Sequence, residues 1–263
     1  MTDQATVDVA FDEADLDALR ESIVSVLVEE CDSLKVHAFI DGKNELDQTL
    51  WQQAAELGWL AVGLPEAFGG LGMGVRGLDV LHRELGRHTV PGPFIATLSA
   101  AHALAEAGDD ALKDAWLPRV AAGEVSLAVP ATLSRNGGAR IAMLGAPDAA
   151  AALVPSESGG WSLVELDGAG KPIDMWDRTR SVFEIETAGL PVGASLGDGA
   201  DDALTAAMAL LIAGDSLGGA RRFRKRACAG FPSRMIFRFP STSSPRRART
   251  SLSSAIPIRP RGF

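Results

Sequence analysis

Apolar residues along this chain keep a helical period for about 120 residues, change to short β-prone runs, and then return to a helical period. That order limits the fold more than any other feature, because each period buries a different kind of face. From Asp15 to Phe39, Leu16, Leu19, Ile23, Val26, Leu27 and Leu34 recur at helical spacing, with Asp and Glu on the other face. A second helix is predicted from Leu46 to Leu57, with Gly58 placed as its C-terminal cap. The stretch "GWLAVGLPEAFGGLGMG" then carries Pro65 and a density of glycines that marks a long ordered loop. Further helices are predicted over roughly Gly77 to Arg87, Phe94 to Glu106 and Asp110 to Val120.

At Val125 the texture changes. "VSLAVPA", "AALVPS", "GWSLVELD" and "SVFEIETAGLPVG" are short, β-prone and separated by Gly, Pro, Asp and Ser. From Asp201 to Gly219 a helical stripe returns on Leu204, Met208, Leu211, Ile212 and Leu217. The expected class is α+β: an N-terminal helical domain over 1–122, a middle β-domain over 123–200, and the start of a C-terminal helical domain over 201–220.

Composition enters at the next boundary. Residues 221–263 hold 12 of the 25 Lys and Arg and none of the 34 Asp and Glu, so the net charge of -9 averages an acidic body with a basic segment. Pro232, Pro240, Pro245, Pro257 and Pro260 interrupt that segment, which is expected to be disordered or the product of a reading-frame shift near codon 220. The alternative is a nucleic-acid arm, with Phe223, Phe231, Phe237 and Phe239 interleaved among arginines to stack on bases, although the acidic body would repel the same partner. Two cysteines, Cys31 and Cys228, form no disulfide framework or metal spacing, and the acidic start "MTDQATVDVAFDEADLDALR" has no basic leader pattern. No apolar run approaches the ~20 residues that span a bilayer. A cytoplasmic setting without a membrane is the expectation.

Several phrases together resemble the acyl-CoA dehydrogenase family. They are "ELGWLAVGLPEAFGGLGMG", a helix ending "RELGR", "WLPRVAAGEVSLAVP", "FEIETAGLPVG" and "AMALLIAGDSLGGA", in the family's order over about residues 15–220. The resemblance implies a helical domain, a β-domain and a C-terminal four-helix domain, with FAD between the last two and touching a neighbouring subunit. It implies α,β-dehydrogenation of an acyl-CoA thioester, a carboxylate taking the α-proton and FAD accepting hydride. Carried over by position, the backbone of Leu127 and Ala128 would meet the flavin and Ser134 the CoA end of the substrate.

The departures are specific. Where the family has Thr-Glu-Pro and later Gly-Ser-Asp, this chain has "AVPATLSR": Ala128 stands for the Thr, Val129 for the acid, Leu133 for the Gly and Arg135 for the Asp. The family's Trp-Thr-Asn-Gly phrase is missing from "GGARIAMLGAPDAAAALV", and no Arg-x-Gln-Phe-Gly phrase follows Ala220. No catalytic residue is therefore assigned, since the expected base belongs to the C-terminal domain. Glu66 and Glu84 do not stand where the family keeps it. His37, His82, His88 and His102 lack metal-ligand spacing, and "GGLGMG" lacks the strand before it and the Lys-Ser/Thr after it that a phosphate loop needs. The expectations are an impaired dehydrogenase or, alternatively, a non-catalytic subunit of a mixed complex, in a homo- or hetero-oligomer. The stripe of the helix after Asp201 is expected to lie exposed for want of a bundle.

Overall fold

The computed structural model describes residues 11–132, 140–156, 159–168 and 170–230. Six α-helices come first: α1 (Glu13–Glu30), α2 (Ser33–Ile40), α3 (Leu46–Glu56), α4 (Gly74–His88), α5 (Phe94–Ala107) and α6 (Asp110–Ala121). Seven strands follow, β1 (Leu127–Pro130), β2 (Arg140–Leu144), β3 (Ala151–Pro155), β4 (Trp161–Glu165), β5 (Lys171–Ile173), β6 (Val182–Glu186) and β7 (Ala194–Ser195), and then α7 (Ala200–Gly230). The α-then-β-then-α order and the α+β class stand as expected.

The helix expected over 15–39 is two helices. Cys31 ends α1, and the Asp32 carboxylate accepts from the amides of Leu34 (2.7 Å) and Lys35 (2.8 Å) to start α2. An N-capping carboxylate satisfies amides that a continuous helix would have paired internally, so the chain turns there. Those amide bonds, the one from Lys35 foremost, also hold the Asp32 carboxyl below its ordinary range. The glycine-dense loop is ordered by backbone pairing: Leu71 donates to Ala61 (2.8 Å), Gly72 to Leu64 (2.9 Å) and Met73 to Val62 (3.0 Å). A Cβ on Gly70 would stand 1.9 Å from the Leu64 carbonyl oxygen, so only glycine closes this loop.

The sheet runs β5-β6-β2-β1-β3-β4-β7, with β1 and β3 parallel and the other neighbours antiparallel. β1 is buried along its length. Leu127 and Val129 face the core shared with α5, α6 and α7, while Ala128 faces a second core with Met143, Val154 and Phe183. Helix α5 is apolar nearly all round and buried accordingly: Phe94, Ile95 and Leu98 join the core of the first helices, and Ala96, Ala100 and Leu104 join the sheet-side core.

Two expectations for the last helix are corrected. The boundary at residue 220 does not hold, since α7 continues through Arg221 and Arg222 to Gly230. Arginine and lysine are good helix formers, and the first proline after Gly199 is Pro232, so the change of charge at 221 is no helix break. Nor does the stripe lack a partner: Leu204, Met208 and Leu211 are buried against the rest of the fold, and Ile212 and Leu217 remain exposed. By length and composition alone, Ala200–Arg224 is apolar enough to cross a membrane, with a mean hydropathy of 1.5 over its most apolar window. Burial of the Leu204, Met208 and Leu211 edge accounts for part of that apolarity within the fold.

Helices α4 and α7 touch backbone to backbone. A Cβ on Gly86 would stand 2.0 Å from the Asp215 carbonyl oxygen, and one on Gly218 2.0 Å from that of Arg83. Glycine at both positions is what lets the helices approach so closely.

Candidate functional site

The residues singled out from the sequence lie at the start of β1, where α5 crosses the sheet. Thr97 of α5 is fully buried, and its hydroxyl makes both ends of a clasp on one residue of β1. The Leu127 amide donates to Thr97 Oγ1 (3.1 Å), and that hydroxyl donates to the Leu127 carbonyl (3.3 Å). Leu127 and Ala128 are both fully buried. Gly145 closes over Ala128 with φ +138, and a Cβ there would stand 3.1 Å from the Ala128 Cα. The structure therefore brings Leu127 and Ala128 together but leaves the Leu127 amide committed to Thr97. Ser134 lies outside the described residues.

That geometry tests the fit of a flavin. A flavin held through Leu127 needs its amide, and here the amide is paired with a buried hydroxyl of the same chain. The Leu127 amide, so committed, does not fit the group.

Beside this point a cleft of about 360 Å³ opens between α3, the turn at Gly92 and Pro93, the α6–β1 connection and the β2–β3 turn. Trp51 lines it, donating Nε1–H to the Gly123 carbonyl (2.9 Å) and lying with its ring centroid 5.3 Å from that of Phe94. Asp47, Glu124 and Asp148 also line it, so the cleft combines an aromatic ring with three carboxylates.

Two polar links tie the sheet to α7. Arg180, ahead of β6, pairs with Asp215 (2.6 Å) and donates to the Val90 carbonyl (2.7 Å), and both partners of the ion pair are mostly buried. Trp161 of β4 donates Nε1–H to the Asp201 carboxylate (2.9 Å). His82, on α4 beneath α7, is fully buried; its Nδ1 lies 3.1 Å from the Leu78 carbonyl, and Nε2 has no partner among the described residues. Burial is the main cause that lowers its pKa to about 4, with Arg180 acting in the same direction, and the ring is neutral. Glu84 is nearly buried and paired with Arg87 (3.3 Å), a structural ion pair, and Glu66 is exposed in the loop. His37, His82, His88 and His102 sit on α2, α4, α4 and α5, and among the described residues no group of His, Cys, Asp and Glu is placed to hold a metal ion.

Sequence reasoning placed the start of β1 correctly and missed Thr97, Arg180 and Asp215. The available signal for Thr97 was a β-branched hydroxyl inside the otherwise apolar "FIATLSAAHALAEA".

With this geometry in hand, comparison with known proteins is specific. Residues 13–124 match the family described as Acyl-CoA dehydrogenase, N-terminal domain. Over those residues the chain is similar to the N-terminal domain of acyl-CoA dehydrogenases. It is similar to the acyl-CoA dehydrogenase FadE12 of Mycobacterium tuberculosis, 33% identical over 95 residues, which is 34% of this chain and 24% of that protein. The match thus spans about a quarter of that relative. Among solved structures, the Tcur3481-Tcur3483 steroid ACAD G363A variant superposes with a TM-score of 0.69 at 26% identity, covering 85% of this chain and 68% of that one. The ChsE4-ChsE5 complex from Mycobacterium tuberculosis shares the fold with a TM-score of 0.72 at 23% identity, covering 89% and 70%. An acyl-CoA dehydrogenase from Bacillus anthracis with the same fold is complexed with FAD.

Proposed function

We propose that this chain is a subunit of an acyl-CoA dehydrogenase assembly in which another subunit holds the flavin. The assembly's reaction is α,β-dehydrogenation of an acyl-CoA thioester, with FAD as the hydride acceptor supplied outside the β1 position of this chain. The observation that carries this reading is the Thr97 clasp, which closes the Leu127 amide to any ligand. The departures at Ala128 and Val129 point the same way, since neither side chain has a group to offer a flavin.

The face of α7 that turns outward supports an oligomer. Ala206, Ala209, Ile212, Ala213 and Leu217 are all exposed on it, with Ile212 and Leu217 the large apolar members. An apolar helix face left open in this way suits another subunit. One similar solved structure is, by its printed description, a complex of two different chains. Cys31 is a free, buried thiol, as suits a reducing cytoplasmic setting.

The test is flavin content and turnover of the purified full chain, alone and after co-expression with a flavin-bearing acyl-CoA dehydrogenase subunit. The expected result is no flavin absorbance and no acyl-CoA oxidation for the chain alone, with both present in a co-purified complex. Stoichiometric FAD on the chain alone would overturn this reading and make the chain a flavoprotein in its own right.

A further inference from the structure

Arg180 stands where the sheet, α7 and the cleft lined by Trp51 meet, and its guanidinium is used on two sides. Nη2 pairs with Asp215 of α7 (2.6 Å), and Nη1 donates to the Val90 carbonyl (2.7 Å), in the connection between α4 and α5. The two side chains of the pair are only 17% and 23% exposed, so water screens it weakly. The loop that carries Arg180 is itself held. Asp177 Oδ1 accepts from the Thr179 amide (3.0 Å) and from the Thr179 hydroxyl (2.6 Å).

From Val90 the contacts lead into the cleft. The Gly92 amide donates to the Thr179 carbonyl (3.4 Å), and Gly92, Pro93 and Ser181 all line the cleft. A Cβ on Gly92 would stand 3.0 Å from the Phe94 ring, and that ring lies 5.3 Å, centroid to centroid, from Trp51. The void among Arg180, Pro93, Ile95 and Leu144 is only about 10 Å³. Packing with so little free space passes a displacement on instead of absorbing it.

The other end of the link is fixed as well. A Cβ on Gly86 of α4 would stand 2.0 Å from the Asp215 carbonyl oxygen, so the Asp215 backbone has no room to shift toward α4. A guanidinium suits the task between these ends, because its planar fork directs several donors at set angles. The second polar tie between sheet and α7, Trp161 to Asp201, has neither partner in the cleft lining. Attachment of the sheet to α7 and placement of the cleft wall are thus carried by different pairs.

We propose that Arg180 is a positioning residue for this cleft: it fixes the Gly92–Pro93 wall to α7 at Asp215, so that the seat of α7 sets how far Trp51 lies open to a ligand. The inference concerns the fold of the chain itself and holds whether or not a flavin-bearing subunit seats on α7.

The experiment labels the five tryptophans of the full 263-residue chain with 5-fluorotryptophan and follows each ring by fluorine NMR, with and without a soluble nitroxide. Trp51→Phe assigns the cleft signal. Fully exposed Trp176 and fully buried Trp59 calibrate the broadening, and Trp161 reports the other tie to α7. Asp215→Asn and Arg180→Lys should each shift the Trp51 signal and raise its nitroxide broadening by about twofold or more, with Trp59 and Trp161 unchanged. The double variant should go no further than the larger single change, since the two groups act as one link. A Trp51 signal unmoved in both single variants would overturn the proposal, and so would additive effects in the double variant. Trp59 and Trp161 moving as much as Trp51 would also overturn it, by making the pair a general brace. Amide exchange on the unmodified chain needs no variant to fold. The Gly92 amide should open together with the α7 amides around Asp215, and Gly92 opening ahead of them would sink the link.

Discussion

At Thr97 a single hydroxyl serves both backbone groups of Leu127, standing in for a strand neighbour where β1 first meets α5. Thr97→Val keeps the shape but strands a buried N–H and a buried C=O. The expected cost is about 1–3 kcal/mol, read as a lower midpoint in urea with an unchanged m-value. His82 sets a pH dependence of known sign. Its folded pKa of about 4 lies below the 6.5 of the unfolded chain, so unfolding takes up a proton between those values. The stability it contributes is complete above about pH 6.5 and falls progressively as the pH drops toward 4. The groups acting on it besides burial are the Leu78 carbonyl, Arg180 and Asp79. His82→Leu should flatten this part of the pH–stability profile, and an unchanged slope would assign the dependence to other groups.

Elements were legible wherever local pattern decided them. The helices expected over 46–57, 94–106 and 110–120 appear as Leu46–Glu56, Phe94–Ala107 and Asp110–Ala121, each holding a run of helix-compatible apolar residues, and the last opening on the Asp109 cap. The break at Cys31 and Asp32 was hidden because Leu27 and Leu34 keep the helical period across it, and the cap is a local bond that periodicity does not register. The extent of α7 was hidden by the opposite error, a shift of charge taken for a shift of structure. At the candidate site, Leu127 and Ala128 could be placed by sequence, but the partner that closes Leu127 stands 30 residues earlier on another element. A tertiary pair of this kind leaves no spacing to find. The α4–α7 contact makes an element-scale prediction. Gly218→Ala forces a methyl against the Arg83 carbonyl, which is backbone and cannot swing aside. The expected loss is about 3 kcal/mol or more, seen as a drop in the thermal midpoint by circular dichroism.

For the whole molecule, the outward face of α7 is where assembly should be felt. Replacing Ile212 and Leu217 together by Lys leaves the buried Leu204, Met208 and Leu211 edge intact, so stability should change by less than about 1 kcal/mol. Association with the flavin-bearing subunit, followed by light scattering after co-purification, should be lost. An intact complex would move the interface elsewhere. Charge will not substitute for this face, since residues 1–220 are acidic overall and 12 of the 25 Lys and Arg follow Ala220.

Helix α5 belongs to both large cores at once, through Phe94, Ile95 and Leu98 on one side and Ala96, Ala100 and Leu104 on the other. Neither the helical layer nor the sheet can therefore come apart without exposing a wall of the other. The two sequence-defined domains should melt in a single cooperative step, and native-state amide exchange should find the α5 amides among the last to open, with α2 at the edge among the first. What looks along the chain like a boundary between two domains is, thermodynamically, a seam sewn by one helix.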